Sequence, residues 1–255
     1  MSVGWCKAVF AYAMQQCFVS QRKDIRSECD DHVFKRTKEG NKSGLSNDDR
    51  EFLAIMKDEF EVESSGKWTA PLPFRSDRPK LSNNRVATER RAKMLDYNLR
   101  RDEHKMKMFT EFVGNVIETG HAELAPTLSP VQKYWYLQVF GVTHPQKPDQ
   151  IRCVFDSSAK HENLSLNGVL LTGPDLTNSL LGVLIRFRRE AVAITADIQQ
   201  MFYCFNVSED HMNYLRFLWY KDLSNSLVEY RMCVQVFGNS PSPAIVTYEK
   251  ISGTQ

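Results

Sequence analysis

The residue in this chain best placed for metal-dependent chemistry is Asp197, at the end of the stretch AVAITADIQQMFYCF, residues 191–205. Val192, Ile194 and Ala196 alternate with Ala193 and Thr195, and no charge interrupts them. That pattern predicts a strand covered on both faces inside a sheet. A carboxylate at the end of such a strand is costly to desolvate unless it is paired, and a divalent cation is a partner that justifies the position. A cap or turn acceptor is the other reading of an aspartate at a strand end. Five residues on stands an aromatic pair, Phe202-Tyr203.

The rest of the chain can be read as a setting for that stretch. With 255 residues, 42% hydrophobic and 25% charged, it is long enough to bury a core and to hold one or two domains. The net charge of +2 is too small to announce a polyanionic partner, but it is unevenly spread. Residues 75–107 hold 11 Lys and Arg against 5 Asp and Glu, while residues 48–63 hold 7 acids against 2 bases. Such a split fits a stripe that meets phosphate, and equally a solvated helix face. Cysteines stand at 6, 17, 29, 153, 204 and 233 with no C-x-x-C pair, so reduced thiols are expected. Cys29 and His32 have ligand-like spacing, but only Cys17 lies near as a third ligand. Lys7 breaks the apolar N-terminal run before it makes a signal-peptide core, and no window reaches the ~18 uncharged apolar residues of a membrane span. An intracellular, cytoplasmic protein without membrane contact is the expectation.

The elements follow from periodicity and punctuation. Residues 1–47 are expected to form a poorly ordered arm, because 21–50 are polar, aperiodic and Gly/Ser/Asn-bearing. A linker and helical segment should span 48–130. In it Phe52, Ile55, Met56 and Phe60 repeat at helical spacing, and helices are predicted over 88–103 and 105–119, the second closed by Gly120. The first of that pair carries Arg90, Arg91, Lys93, Arg100 and Arg101, a face for nucleic-acid backbone or for solvent. From 131 strands dominate. Residues 134–142 and 151–156 flank a Pro-bounded turn, predicting a β-hairpin with a basic tip and a basic return strand. A loop over 165–175 precedes a helix whose apolar side, Leu176 to Phe187, should pack under the sheet bearing Asp197. Strands are expected over 214–220 and 228–236, the second with one buried and one wet face, and a helix from Ala244 after the loop FGNSPSP.

Asp197 followed by Phe202, with the words WYLQVFGVTHPQKPDQIRCVFDSSAK, SLNGVLLTGPDLTNSLLGVLIRFRRE and VFGNSPSPAIVTY, resembles the reverse transcriptase of BEL/Pao-type LTR retrotransposons, from about Asp48 to Tyr248. The resemblance implies an α+β fold, the fingers and partial palm of a right-hand polymerase over 131–255. It also implies RNA-directed DNA polymerase chemistry on an RNA or DNA template-primer with deoxynucleotides and Mg²⁺. Asp197 would be the catalytic metal ligand, and Phe202 would lie against the nucleotide sugar. Lys147 and Arg152 would touch the triphosphate, and Phe237 and Gly238 would lie under the templating base and nucleotide. The family joins an upstream protease to the polymerase, and no Asp-Thr-Gly or Asp-Ser-Gly triplet occurs here.

Two-metal nucleotidyl transfer also needs an adjacent Asp pair on a later Tyr-x-Asp-Asp hairpin. After Asp197 only Asp210 and Asp222 remain, and the adjacent pairs Asp30-Asp31 and Asp48-Asp49 lie far upstream. The expectation is therefore a truncated reverse transcriptase, inactive alone, with Met232, Val234 and Val236 left exposed and prone to aggregate. The alternative is a non-catalytic nucleic-acid-binding or host-repurposed interaction module.

Overall fold

The computed structural model describes residues 44–252, apart from 65, 145, 179, 190, 191, 193 and 221–225. The expected arm, with Cys6, Cys17, Cys29, His32 and Asp30-Asp31, falls almost wholly outside the described residues. The fold is mixed, α+β, with short helices and three small sheets among those residues. Two compact units divide the chain, one of residues 46–176 with 200–255, the other of 1–45 with 177–199.

The larger unit opens with α1, Asn47–Glu59. Ser46 and Asp49 close a reciprocal capping box, each side chain accepting the other's backbone N–H at 3.1 Å. Phe52 and Met56, one turn apart on α1, pack with Ala70, Leu171, Ala244 and Ile245. Strands β1, Glu61–Val62, and β2, Trp68–Ala70, run antiparallel. Helices α2, Arg85–Leu99, and α3, Glu103–Glu118, follow. Asp102 caps α3 by accepting from Lys105 N at 3.1 Å. Gly120, at φ +72°, ends it as expected, donating to Ile117 O while His121 N donates to Val116 O. Phe109, Val113 and Val116 form the buried face of α3, and Phe109 packs on Trp219 with ring centroids 4.5 Å apart.

The predicted hairpin is present as β4, Gln138–His144, antiparallel to β5, Lys147–Asp156, with an irregularity between Thr143 and His144. Tyr134–Leu137 is not part of it. That segment turns inward instead, with Trp135 and Leu137 buried and Leu137 N donating to Arg216 O at 2.6 Å. The expected loop over 165–175 contains a helical turn, α4, Leu166–Val169, capped by Ser165.

Strand β6, Phe205–Val207, pairs parallel to β2 and completes the order β1-β2-β6. Short helix α6, Glu209–Met212, leads to β7, Arg216–Tyr220. The second three-stranded sheet has the order β3-β8-β7, with β3 at Ala122–Leu124 and β8 at Leu227–Met232, all antiparallel. A C-terminal helix, α7, covers Ser242–Ser252, close to the expected start at Ala244.

Three further expectations fail. Met232, Val234 and Val236 are core residues, each at most 2% exposed, because α3, β3 and β6 cover them. The wet face of the 228–236 strand is also covered, since Arg231 and Gln235 are buried and Glu229 is half-buried. Buried guanidinium groups opposite supply the pairing that makes this tolerable. Arg216, only 1% exposed, donates to Glu229 Oε2 at 2.9 Å, to Asn213 Oδ1 and to Pro126 O. Arg85 and the Tyr136 hydroxyl donate to the same carboxylate, each at 2.7 Å. Arg231 is clamped by Glu123 and Glu209.

The third failure lies in the smaller unit. Its helix α5, Leu180–Phe187, is shorter than expected, and Leu180, Leu181, Leu184 and Ile185 are all at least half exposed. Val192 and Ile194 are about three-quarters exposed, and the described residues from 192 to 198 form no strand. Alternation signals that burial is favourable but names no pairing partner, and among the described residues no strand pairs with this segment.

Burial opposes ionisation of Glu229, yet the hydrogen bonds from Arg85 and Tyr136 and the charges of Arg85 and Arg216 outweigh it and hold the carboxyl below 4.5. The unfolded chain therefore binds this proton more readily. The stability so gained is present above about pH 4.5 and lost as pH falls through the lower folded value. Glu229→Gln should cost about 3 kcal/mol, the low end for breaking a buried pair, because a quarter of the carboxylate side chain still meets solvent. Urea titrations should show a lower midpoint at unchanged slope, and a smaller loss of stability on acidification than in the parent.

Candidate nucleotide site

A loop of five residues, Phe237 to Pro241, is fastened between β5 and α4. Gly238 has φ +120°, and a Cβ there would overlap the Phe155 carbonyl oxygen, so the close approach of loop to strand requires glycine. The Asn167 side chain brackets the loop from the other side. Its Nδ2 donates to Gly238 O and its Oδ1 accepts from Ser240 N, both at 2.9 Å. Asn167 N in turn donates to Ser157 O at 2.9 Å, and the buried Ser157 hydroxyl donates to Asn239 Oδ1. Ser242 closes the far end by donating to Val236 O at 3.0 Å.

Phe202 belongs to a 3-10 turn, Met201–Cys204, that starts from Gln200 at φ +54°. Its ring lies 6.1 Å from that of Phe237, which is 62% exposed. Tyr203 points elsewhere, its ring 4.9 Å from His121. Burial and a neighbouring thiol, Cys153, raise the Tyr203 phenol to about 12. Phe205 is buried in the core, whereas Phe202 is half-buried beside an exposed ring.

On β5, Cys153 and Phe155 are buried, as is Ser157 just past its end, so Arg152, Val154 and Asp156 share the opposite face. Val154 reaches the Gly238 position at 3.8 Å. Arg152 is therefore one pleat away, roughly 7 Å along the strand, and its side chain is exposed. Asp156 is turned to local use, accepting from Ser158 N and Ala159 N.

Of the residues read from sequence, the structure brings Phe202, Phe237 and Gly238 together and places Arg152 on the strand face that meets Gly238. Lys147 opens β5 with its backbone paired to His144, and its side chain lies outside what is described. Asp197 belongs to the other compact unit and is exposed. Asn167 and Ser157 were missed. Asparagine and serine beside a glycine are the residue types that tie loops, but here the tie spans more than 70 residues.

Magnesium takes one or two carboxylates together with phosphate oxygens. Among the described residues no group of three or more His, Cys, Asp or Glu could hold a metal ion. The adjacent pair Asp48-Asp49 is spent on structure, Asp48 pairing with Arg75 at 2.6 Å and Asp49 capping α1. Among the described residues no helix is long and apolar enough to cross a membrane. No protein-family model matches the chain, and no curated protein matches it either.

The clamp makes a local prediction. Asn167→Ala removes both bonds to the loop and should cost about 1–2 kcal/mol, with protection of the Ser240 amide lost in native-state hydrogen exchange. Amides of β7 and β8 should keep theirs. Loss of protection across both sheets would mean that Asn167 holds the whole unit and not the loop.

Proposed function

We propose that the chain is the nucleotide-binding side of a BEL/Pao-type retrotransposon reverse transcriptase, comprising fingers and part of the palm. What carries the reading is the meeting of Phe202 with the Phe237-Gly238 loop on the strand that presents Arg152. Three stretches that stand apart in sequence, each containing a residue named by the resemblance, supply one surface.

In this reading the exposed Phe237 ring and the Gly238 backbone form an apolar floor for the base. Glycine is needed because the floor must sit against Phe155 without a side chain between them. Arg152 supplies a planar, permanently charged fork that suits a phosphate. The Phe202 ring, held against Phe237, stands where a ribose 2′-hydroxyl would collide with it. An apolar pocket alone rejects an added hydroxyl by only ~10²-fold, so steric collision has to supply anything stronger. The chain is expected to bind nucleotides without polymerising them. No adjacent Asp pair follows Asp197 in these 255 residues, and each 1.36 kcal/mol of missing transition-state stabilisation lowers the rate about tenfold.

Fluorescent deoxy- and ribonucleoside triphosphates titrated into the purified chain test this directly. The parent should prefer the deoxy form. Phe202→Val should abolish the preference by admitting the ribonucleotide while deoxynucleotide affinity survives, and Arg152→Ala should weaken both about tenfold, the loss of one charge-assisted hydrogen bond. Equal loss of both sugars in Phe202→Val would return the ring to a packing role. Template-dependent primer extension above background by the purified chain would contradict the expected inactivity.

A further inference from the structure

A second concave surface lies on the larger unit and shares no residue with the one above. Segments 74–83 and 130–134, with Tyr214, enclose a cleft of about 950 Å³. Just past their ends the two walls are tied by a reciprocal pair, in which Asn84 Nδ2 donates to Tyr136 O at 2.7 Å and Asn84 Oδ1 accepts from Tyr136 N at 3.0 Å. Each wall is also pinned by a backbone bond, Arg75 N to Val169 O at 3.0 Å and Trp135 N to Asn213 O at 3.1 Å. The cleft is therefore built before any ligand arrives.

Four cations line it, with no Asp or Glu among the lining residues. Two of the four are already used. Arg75 pairs with Asp48 at 2.6 Å, and the Arg78 guanidinium lies over the Phe74 ring at 3.7 Å and donates to the Tyr214 hydroxyl. Lys80 on one wall and Lys133 on the other are exposed and make no ion pair among the described residues. With them stand apolar side chains, Val131 at 88% exposure and Leu81 half-buried. The rings are largely taken. Phe74 and Tyr214 are buried with centroids 4.5 Å apart, Arg78 covers a face of Phe74, and the half-buried Tyr134 packs at a steep angle on Tyr136. A single-stranded nucleic acid needs successive open rings for its bases, so it is poorly served here. What the cleft presents is two ammonium groups and aliphatic surface.

Segment 74–83 already binds acids within the chain. Asp48 and Glu51, one turn apart on α1, reach Arg75 and the Ser76 N–H, the second at 2.9 Å. We propose that the rest of the cleft binds an acidic peptide segment of a partner protein, with its carboxylates on Lys80 and Lys133 and an aliphatic side chain on Val131 and Leu81. Charge complementarity selects the acid, because a lysine ammonium is a point charge that accepts a carboxylate from many directions. Val131 selects the peptide over a free anion, since only an occupant with apolar surface takes that side chain out of water. The Ser82 hydroxyl lines the cleft, buried and without a partner among the described residues, and is available to the peptide backbone. The inference goes beyond the nucleotide site above and does not depend on it.

The probe is a fluorescein-labelled peptide of alternating glutamate and leucine, titrated into the full chain and read by anisotropy. It should bind, more weakly as NaCl is raised. The same peptide with glutamine in place of glutamate should bind at least about tenfold more weakly. Lys80→Glu with Lys133→Glu should weaken the glutamate peptide by a similar factor and strengthen binding of a lysine–leucine peptide, a gain that a misfolded protein does not give. Val131→Ser should cost about tenfold with the salt dependence unchanged. Arg90→Glu with Arg91→Glu, on the exposed face of α2, applies an equal change of charge and should have no effect. Absence of binding by the parent would overturn the proposal, as would equal loss in the Arg90 and Arg91 control or loss in the lysine variant without the reciprocal gain. Displacement of the peptide by oligo-dT at a lower concentration than by unlabelled peptide would also overturn it, and would make the occupant a nucleic acid. Phe202→Val should leave peptide affinity unchanged, so failure of this site and failure of the nucleotide site are read separately.

Discussion

Arg216 is the constraint from which most of the larger unit can be traced. A guanidinium 1% exposed is tolerable only if every donor finds an acceptor, and its acceptors come from Asn213, Pro126 and Glu229. Glu229 must then stay ionised, which brings in Arg85 from α2 and the Tyr136 hydroxyl. Burial, and then the same carboxylate, push the Tyr136 phenol up to about 12, so it stays a donor at any ordinary pH. One network therefore ties α2, the segment before β4, and strands β7 and β8. An apolar core could have filled that volume, but it would not have fixed which segment lies over which. The polar network sets the register.

That register positions the candidate site at one remove. Trp135 and Leu137 pair with Arg216 and its neighbours through backbone bonds, which fixes where β4 starts and hence how the β4–β5 hairpin stands. Strand β5 then carries Phe155, whose carbonyl receives Gly238, and just past its end stands Ser157, whose hydroxyl and carbonyl engage Asn239 and Asn167. The loop is held by a glycine that fits and an asparagine that bridges. Neither bond reaches Phe237 or Phe202, so the two rings are placed by the backbone and keep exposed area.

Local signals were legible in the sequence and long-range ones were not. The helical period of Phe109, Val113 and Val116 and the glycine at 120 specify α3 within a short window, and the structure has it with the expected end. The hairpin over 138–156 is likewise local. Alternation in 228–236 was read as one wet face because Glu229 and Arg231 are charged, but their partners stand between 13 and 144 residues away. No window of sequence contains that information. The stretch ending at Asp197 failed differently, since apolar alternation is a statement about burial and a strand also needs a neighbour to hydrogen-bond with.

The same accounting of charge applies to the acids outside this network. In the larger unit several carboxylates are committed to the fold: Asp48 to Arg75, Asp156 to backbone amides, Glu209 to Arg231. A committed carboxylate cannot also serve as a general base or a metal ligand without releasing its cation into a buried or half-buried place, which costs more than it returns. Some cations have no acid beside them, for Lys80 and Lys133 are exposed and the Arg78 guanidinium lies over the Phe74 ring. In this unit Asp48, Asp49, Asp156, Glu209 and Glu229 are thus used to hold the fold.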